Sequence, residues 1–142
     1  MKADGAFALL AFDFGLRHIG VAVAQTVTRT ARGAATVGYR GTRPHWRAIT
    51  QLIDEHAPRA LLVGLPLNMD DTDNHVTVAA REFAAALEKR TGLPVHLQDE
   101  RLTSKAAEEG LADARDLGIA STDHELAACY IAEDWMRDNL AD

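Results

Sequence analysis

Cysteine is almost missing from this chain: Cys129 stands alone among 142 residues. One thiol can form neither an internal disulfide nor a Cys-based zinc site. That excludes a disulfide-stapled scaffold and a zinc finger, and it makes a reducing cytoplasm the natural setting. Long apolar runs are missing too. None approaches the roughly 18 residues of a membrane-spanning helix, and the opening MKADG lacks the small-residue cleavage pattern of a secretory signal. The six histidines (18, 45, 56, 75, 96 and 124) include no HxH or HxxxH pair, so a histidine metal centre has no local signature. No repeat, low-complexity tract or linker interrupts the sequence. Residues 1–142 are expected to form one domain large enough to bury roughly two-thirds of its unfolded surface.

Positive charge is sparse, with a net of −6, which on its face argues against a nucleic-acid partner. The charges, however, are not spread evenly. Residues 1–47 hold seven bases (Lys2, Arg17, Arg29, Arg32, Arg40, Arg43, Arg47) against Asp4 and Asp13, a net of +5. Residues 48–142 hold eight bases against nineteen acids, a net of −11. A basic face that tracks phosphates is compatible with acidic helices solvated elsewhere.

The chain turns on residues 7–25, FALLAFDFGLRHIGVAVAQ. Two short apolar runs flank a Gly-containing turn, which reads as a hairpin whose first strand ends on Asp13. A third strand is expected over 34–39, entered through Gly33. Pro44 then opens a helix carried by Trp46, Ile49, Leu52 and Ile53 and ended by Ala57-Pro58. Arg59–Gly64 is a short apolar strand, followed by the turn-rich loop LPLNMDDTDN. A helix over 75–90 points Val78, Phe83, Ala86 and Leu87 inward, and Gly92-Leu93-Pro94 closes it. Residues 95–98 form a fifth strand running into DERLTS. A third helix is expected from Lys105 to about Asp116, and a fourth, opened by a Thr122/Glu125 capping box, reaches about Asn139. The order βββαβαβαα predicts an α/β domain. Its mixed five-stranded sheet joins an antiparallel meander to parallel strands with right-handed crossovers.

In such a sheet the site lies beyond the carboxyl ends of the parallel strands. Asp13 arrives there from the first strand, and Asp99 or Glu100 from the fifth. Asp123 shares a helical stripe with Ala127, Tyr130 and Ile131, which points it inward. Converging carboxylates repel one another and call for a cation. Oxygen-only ligands suit Mg²⁺ or Mn²⁺, and two such ions would serve phosphodiester hydrolysis. Asp13 would bridge, with Glu100 and Asp123 completing the shells. Arg17 and Arg101, each near a candidate acid, are candidates either to hold phosphates or to pair with those acids. Asp70, Asp71 and Asp73 read as turn acids, and Cys129 as a small core residue.

The segments FDFGLRHIGVAVA, LLVGLPLNMD, QDERLTS and TDHELAACYIAEDW, in that order, resemble the YqgF/RuvX family over nearly the whole chain. The pairing of VGLPLNMD with DERLT is the specific part; the opening hairpin alone would indicate only the wider ribonuclease H-like superfamily. The resemblance implies a ribonuclease H-like fold with strand order 3-2-1-4-5 and metal-dependent nuclease chemistry. It also implies a role in 5′-end maturation of pre-16S ribosomal RNA or, alternatively, in Holliday-junction resolution. Carried over by position, the family's acids fall on Asp13, Glu100 and Asp123. Arg17, Arg101 and Thr103 are the candidate nucleic-acid contacts. The chain departs from the family pattern at Gln25, at Asp71 and at Ala120-Ser121, where an acid, a glycine and a lysine are common.

The expectation is therefore a cytoplasmic Mg²⁺- or Mn²⁺-dependent nuclease on structured nucleic acid, monomeric or homodimeric, with pre-16S rRNA the favoured substrate and branched DNA the alternative. Two rivals come from another class. One is a non-catalytic nucleic-acid-binding module, which would bind RNA salt-sensitively without its three acids. The other is an actin-like nucleotide-binding protein, for whose two domains the chain is too short.

Overall fold

Alternation along the first strand sets the architecture. β1 (Ala8–Asp13) sends Leu10 and Phe12 to one side of the sheet and Leu9 and Ala11 to the other, as a period of two requires. The computed structural model describes residues 6–68, 70, 72–100 and 123–140. After β1 come β2 (Ile19–Gln25), β3 (Thr30–Val37), β4 (Tyr39–Arg40), β5 (Arg43–Pro44), α1 (Trp46–His56), β6 (Ala60–Leu65), α2 (His75–Thr91), β7 (Val95–Asp99) and α3 (Asp123–Asn139). The sheet order is β3-β2-β1-β6-β7. β2 lies antiparallel to β1 and to β3, whereas β6 lies parallel to β1 and to β7. Counted by the sheet's own strands, this is the expected order 3-2-1-4-5.

Several details differ from the sequence reading. β3 starts at Thr30 rather than at residue 34, and Gly33 lies within it, because residues 30–33 pair with Gln25 back to Ala22; the ladder then slips between Val21 and Ala22. Val21 faces Ala35 and Ala22 faces Gly33, leaving Ala34 as the extra residue of a bulge. Tyr39 leaves the main sheet and pairs with Pro44 in a separate two-stranded hairpin, so α1 begins only at Trp46. Val78 is 48% exposed; α2 buries Thr77, Ala80, Phe83, Ala84 and Leu87 instead, a stripe that leaves out position 78. The expected helix from Lys105 to Asp116 and the Thr122 cap lie outside the described residues.

The two faces are packed differently. Towards α1 and α2 the core is large and aromatic, with Phe83 edge-on to Phe12 and stacked on Trp46 at 5.4 Å. Towards α3 it is built mainly of small residues: Ala11, Ala22, Ala24, Ala31, Ala60, Ala128 and Ala132. The helix therefore comes very close to the strands. A Cβ on Gly20 would run into the His124 carbonyl, so only glycine fits where the first turn of α3 crosses β2.

Candidate active site

The parity that puts Leu9 and Ala11 beneath α3 puts Asp13 on the same face, at the last position of β1. Burial alone pushes its carboxyl up to about 6, since a charge there loses water without gaining a cationic partner. One residue past the Phe12–Val63 pair, Gly64 of β6 lies beside Asp13. On its other side Gly64 pairs with Gln98 of β7. The chain then reaches Glu100, whose N–H donates to the Leu65 carbonyl at 2.9 Å.

Gly64 is the gap between the two acids. A Cβ there would lie 2.5 Å from Ile131 Cδ1 and 3.4 Å from Glu100 Cγ. Glu100 turns into the protein and Asp99 turns out to solvent, which answers which of the two strand-end acids faces the site. Burial, a hydrogen bond to Asp134, and the charges of Asp134 and Asp13 together push the Glu100 carboxyl up to about 9, against a weaker opposing pull from Arg137. Its Oε1 is buried without a hydrogen-bond partner among the described residues.

Asp134 is the member the sequence reading missed. It lies eleven residues after Asp123, on the same helical stripe as Ala127 and Tyr130, and that spacing was the available signal. It also pairs with Arg137 at 3.0 Å. At 1.5 Å per residue, Asp123 and Asp134 stand about 16 Å apart along the helix. They therefore serve different ends of α3. The first turn crosses β2, where His124 stacks on His18 at 5.1 Å; the later turns reach Gly64, Glu100 and β7.

Asp123 itself is exposed, not inward as its stripe suggested. The packed face is Leu126, Ala128, Cys129, Ile131, Ala132 and Met136, so the Asp123 stripe runs along its margin. Glu125, two residues on, is the buried acid of that turn and accepts a hydrogen bond from Thr36 Oγ1 at 3.4 Å.

The remaining candidates sort cleanly. Asp70 is an exposed turn acid held low by the Thr72 hydroxyl and amide, and Asp73 pairs with Arg81 at 3.1 Å. Cys129 is buried, and burial raises its thiol to about 12, leaving it inert. Arg17 is exposed on the β1–β2 turn. Arg101, Thr103 and the departures at Asp71, Ala120 and Ser121 lie outside the described residues; Gln25 ends β2, exposed.

Among the described residues no three His, Cys, Asp or Glu side chains are grouped to hold a metal ion. Two of the pieces are in place all the same. Asp13 and Glu100 flank a side-chain-free position, both resist ionisation, and one Glu100 oxygen is unsatisfied. A hard cation that keeps several waters needs only one or two carboxylates, so this donor set fits Mg²⁺ or Mn²⁺.

Residues 7–138 match the model of the RuvX family, described as Holliday junction resolvase. A Legionella pneumophila (strain Paris) protein named "Putative pre-16S rRNA nuclease" is 42% identical over 133 residues, covering 92% of this chain and 95% of its own. A Nitrosococcus oceani protein of the same name is 44% identical over 135 residues, covering 92% and 86%. Among solved structures, Thermus thermophilus RuvC in complex with a Holliday junction substrate superposes with a TM-score of 0.63 at 18% identity, over 96% of this chain and 98% of that one. The fowlpox virus resolvase bound to Holliday junction DNA gives 0.55 at 10% identity, over 94% and 99%. At these identities the structural likenesses establish the ribonuclease H-like fold and nothing finer.

Proposed function

The chain belongs to the RuvX family of nucleases, hydrolases acting on ester bonds, and from that premise we propose a divalent-metal-dependent phosphodiesterase that processes the 5′ end of pre-16S rRNA in the cytoplasm. The observation that carries the reading is the pair Asp13 and Glu100, brought to one sheet edge around Gly64 with an unsatisfied buried oxygen between helix and sheet. Residues 1–142 act as one domain in this account.

Asp13 and Glu100 would hold one Mg²⁺ or Mn²⁺ ion, with Asp123 serving a second from the β2 side. When bound, such ions acidify an attacking water and stabilise the leaving oxygen. The protein's own part is to exclude bulk water from Asp13 and Glu100 and to hold both carboxylates on rigid strand ends. Asp134 keeps the Glu100 proton in place until a cation displaces it, and so acts as a positioning residue. Arg17, Arg101 and Thr103 are the phosphate contacts of this proposal.

Support for RNA comes from the names of the relatives, of which this chain covers nearly the full length. The test is cleavage of a 5′-extended 16S precursor fragment with Mn²⁺, with EDTA, and by Asp13→Asn. Cleavage only by the parent chain with metal is expected. Activity in EDTA, or undiminished activity in Asp13→Asn, sinks the proposal. A four-way DNA junction run in parallel decides the alternative substrate, which requires a dimer with two sites.

A further inference from the structure

Phe14 follows Asp13 and points to the opposite face, where it lines a cleft of about 790 Å³. The floor is aromatic and apolar: Phe14 lies against Phe83 at 5.1 Å, Phe83 against Trp46, and Ala79, Ala86 and Pro44 complete it. The walls are the β1–β2 turn and the β4–β5 hairpin, tied together by the Tyr39 hydroxyl donating to the Gly15 carbonyl at 2.6 Å. Leu16, on that turn, is 53% exposed.

Arg17 lines this recess, and Arg40, Arg43 and Arg47 are sequence neighbours of lining residues; all four are exposed and without a carboxylate partner among the described residues. Arg40 and Arg43 face each other across the hairpin, and Arg47 follows Trp46 at the start of α1. These four belong to the N-terminal third, residues 1–47, whose local net charge is +5 against −6 for the whole chain.

We propose that the cleft takes an unpaired base of the RNA strand being cut, with the neighbouring phosphates on the four arginines. The inference rests on the nuclease reading above and adds a binding site to it. An aromatic recess suits the face of any base, and a basic rim suits the backbone on either side. Glu82, the one acid in the lining, argues for a base rather than a phosphate inside. It would repel a phosphate but accept a hydrogen bond from an exocyclic amino group. Because Phe14 directly follows Asp13, the cleft opens at the same sheet edge as the carboxylates. A strand passing the acids can therefore turn one nucleotide into it.

The test uses the full chain carrying Asp13→Asn, in EDTA, so that bound RNA is not cut. Anisotropy of a labelled single-stranded RNA is followed while an abasic site is walked along it. One position is expected to weaken binding about tenfold, the scale of one lost base stack. Filling the cleft with Ala79→Trp or Ala86→Leu is expected to weaken the intact strand equally and to abolish the abasic effect. Melting curves identify any filled variant that fails to fold, and the abasic walk changes the ligand alone. With Trp135→Phe as background, Trp46 emission should change on binding. An abasic walk without a sensitive position, or folded filled variants that bind as tightly as the parent, overturns the proposal. Parallel Mn²⁺-dependent cleavage by the parent chain separates the two readings. Cutting without an abasic effect removes the cleft alone, and an abasic effect without cutting supports the cleft while removing the nuclease.

Discussion

The two faces of one strand have been put to opposite uses. Towards α1 and α2, β1 presents Leu10, Phe12 and then Phe14, and the core there is filled by aromatic rings. Towards α3 it presents Leu9, Ala11 and then Asp13, and the core is mostly alanine, with glycine at the closest approaches. Small residues let α3 settle onto the strands, and that closeness strips water from Asp13 and Glu100. The aromatic face supplies stability by volume. The alanine face gives up some of that volume and gains two carboxylates that bury charge without a cationic partner, a costly arrangement unless a cation arrives.

The sharpest break of this contrast is chemical. Asp13→Asn and Glu100→Gln are each expected to lower Mn²⁺-dependent RNA cleavage by at least about 100-fold, read from initial rates. Both variants should melt higher than the parent in EDTA at pH 8, by on the order of a few degrees. A loss of activity accompanied by a lower melting point would mean that these acids are structural.

Packing comes next. Phe83→Ala should cost about 3–5 kcal/mol by opening a cavity in the aromatic core. Gly20→Ala should cost about 1–3 kcal/mol by overpacking against the His124 carbonyl. Urea denaturation measures both. If the order reversed, the claim that one face is held by volume and the other by proximity would fail.

The pH response sharpens the contrast further. Both acids have folded pKa values above their unfolded ones, so the folded state binds more protons and stability falls as pH rises. For Asp13 the loss runs from about 4 to about 6, and for Glu100 from about 4.5 to about 9. In EDTA the melting temperature should decline from pH 5 to pH 9, and Glu100→Gln should flatten the upper part of that decline. Asp134→Asn, which removes the neighbouring negative charge and replaces the carboxylate acceptor with a weaker amide oxygen, should shift the decline to lower pH.

The smallest effect lies off both faces. Ala57 ends α1 at φ 45°, in the left-handed region, with its N–H on the Ile53 carbonyl. Ala57→Gly should add about 0.5–1 kcal/mol there and leave RNA cleavage unchanged.

Much of this was legible from residue order. The alternating apolar runs, the single-helix crossovers and the acids at two strand ends fixed the sheet order and placed Asp13 and Glu100 at its edge. What escaped depended on contacts between distant segments. The bulge at Ala34 arises from how β2 and β3 share a ladder, which no local pattern reports. Asp123 and Asp134 occupy the same helical stripe, so periodicity could not say which end of α3 meets Glu100; that depends on how the helix crosses the sheet. The choice between Asp99 and Glu100 likewise waited on the Leu65 carbonyl fixing where β7 ends.

The central claim is that Asp13 and Glu100 form a carboxylate pair built for a divalent cation, and the most direct test is the melting temperature at pH 8 with and without Mn²⁺. A ligand that binds only the folded state at a hundred times its Kd adds about 2.7 kcal/mol. The parent chain and Asp70→Asn should therefore rise by several degrees, while Asp13→Asn and Glu100→Gln should not rise at all. An undiminished rise in Asp13→Asn would contradict the account.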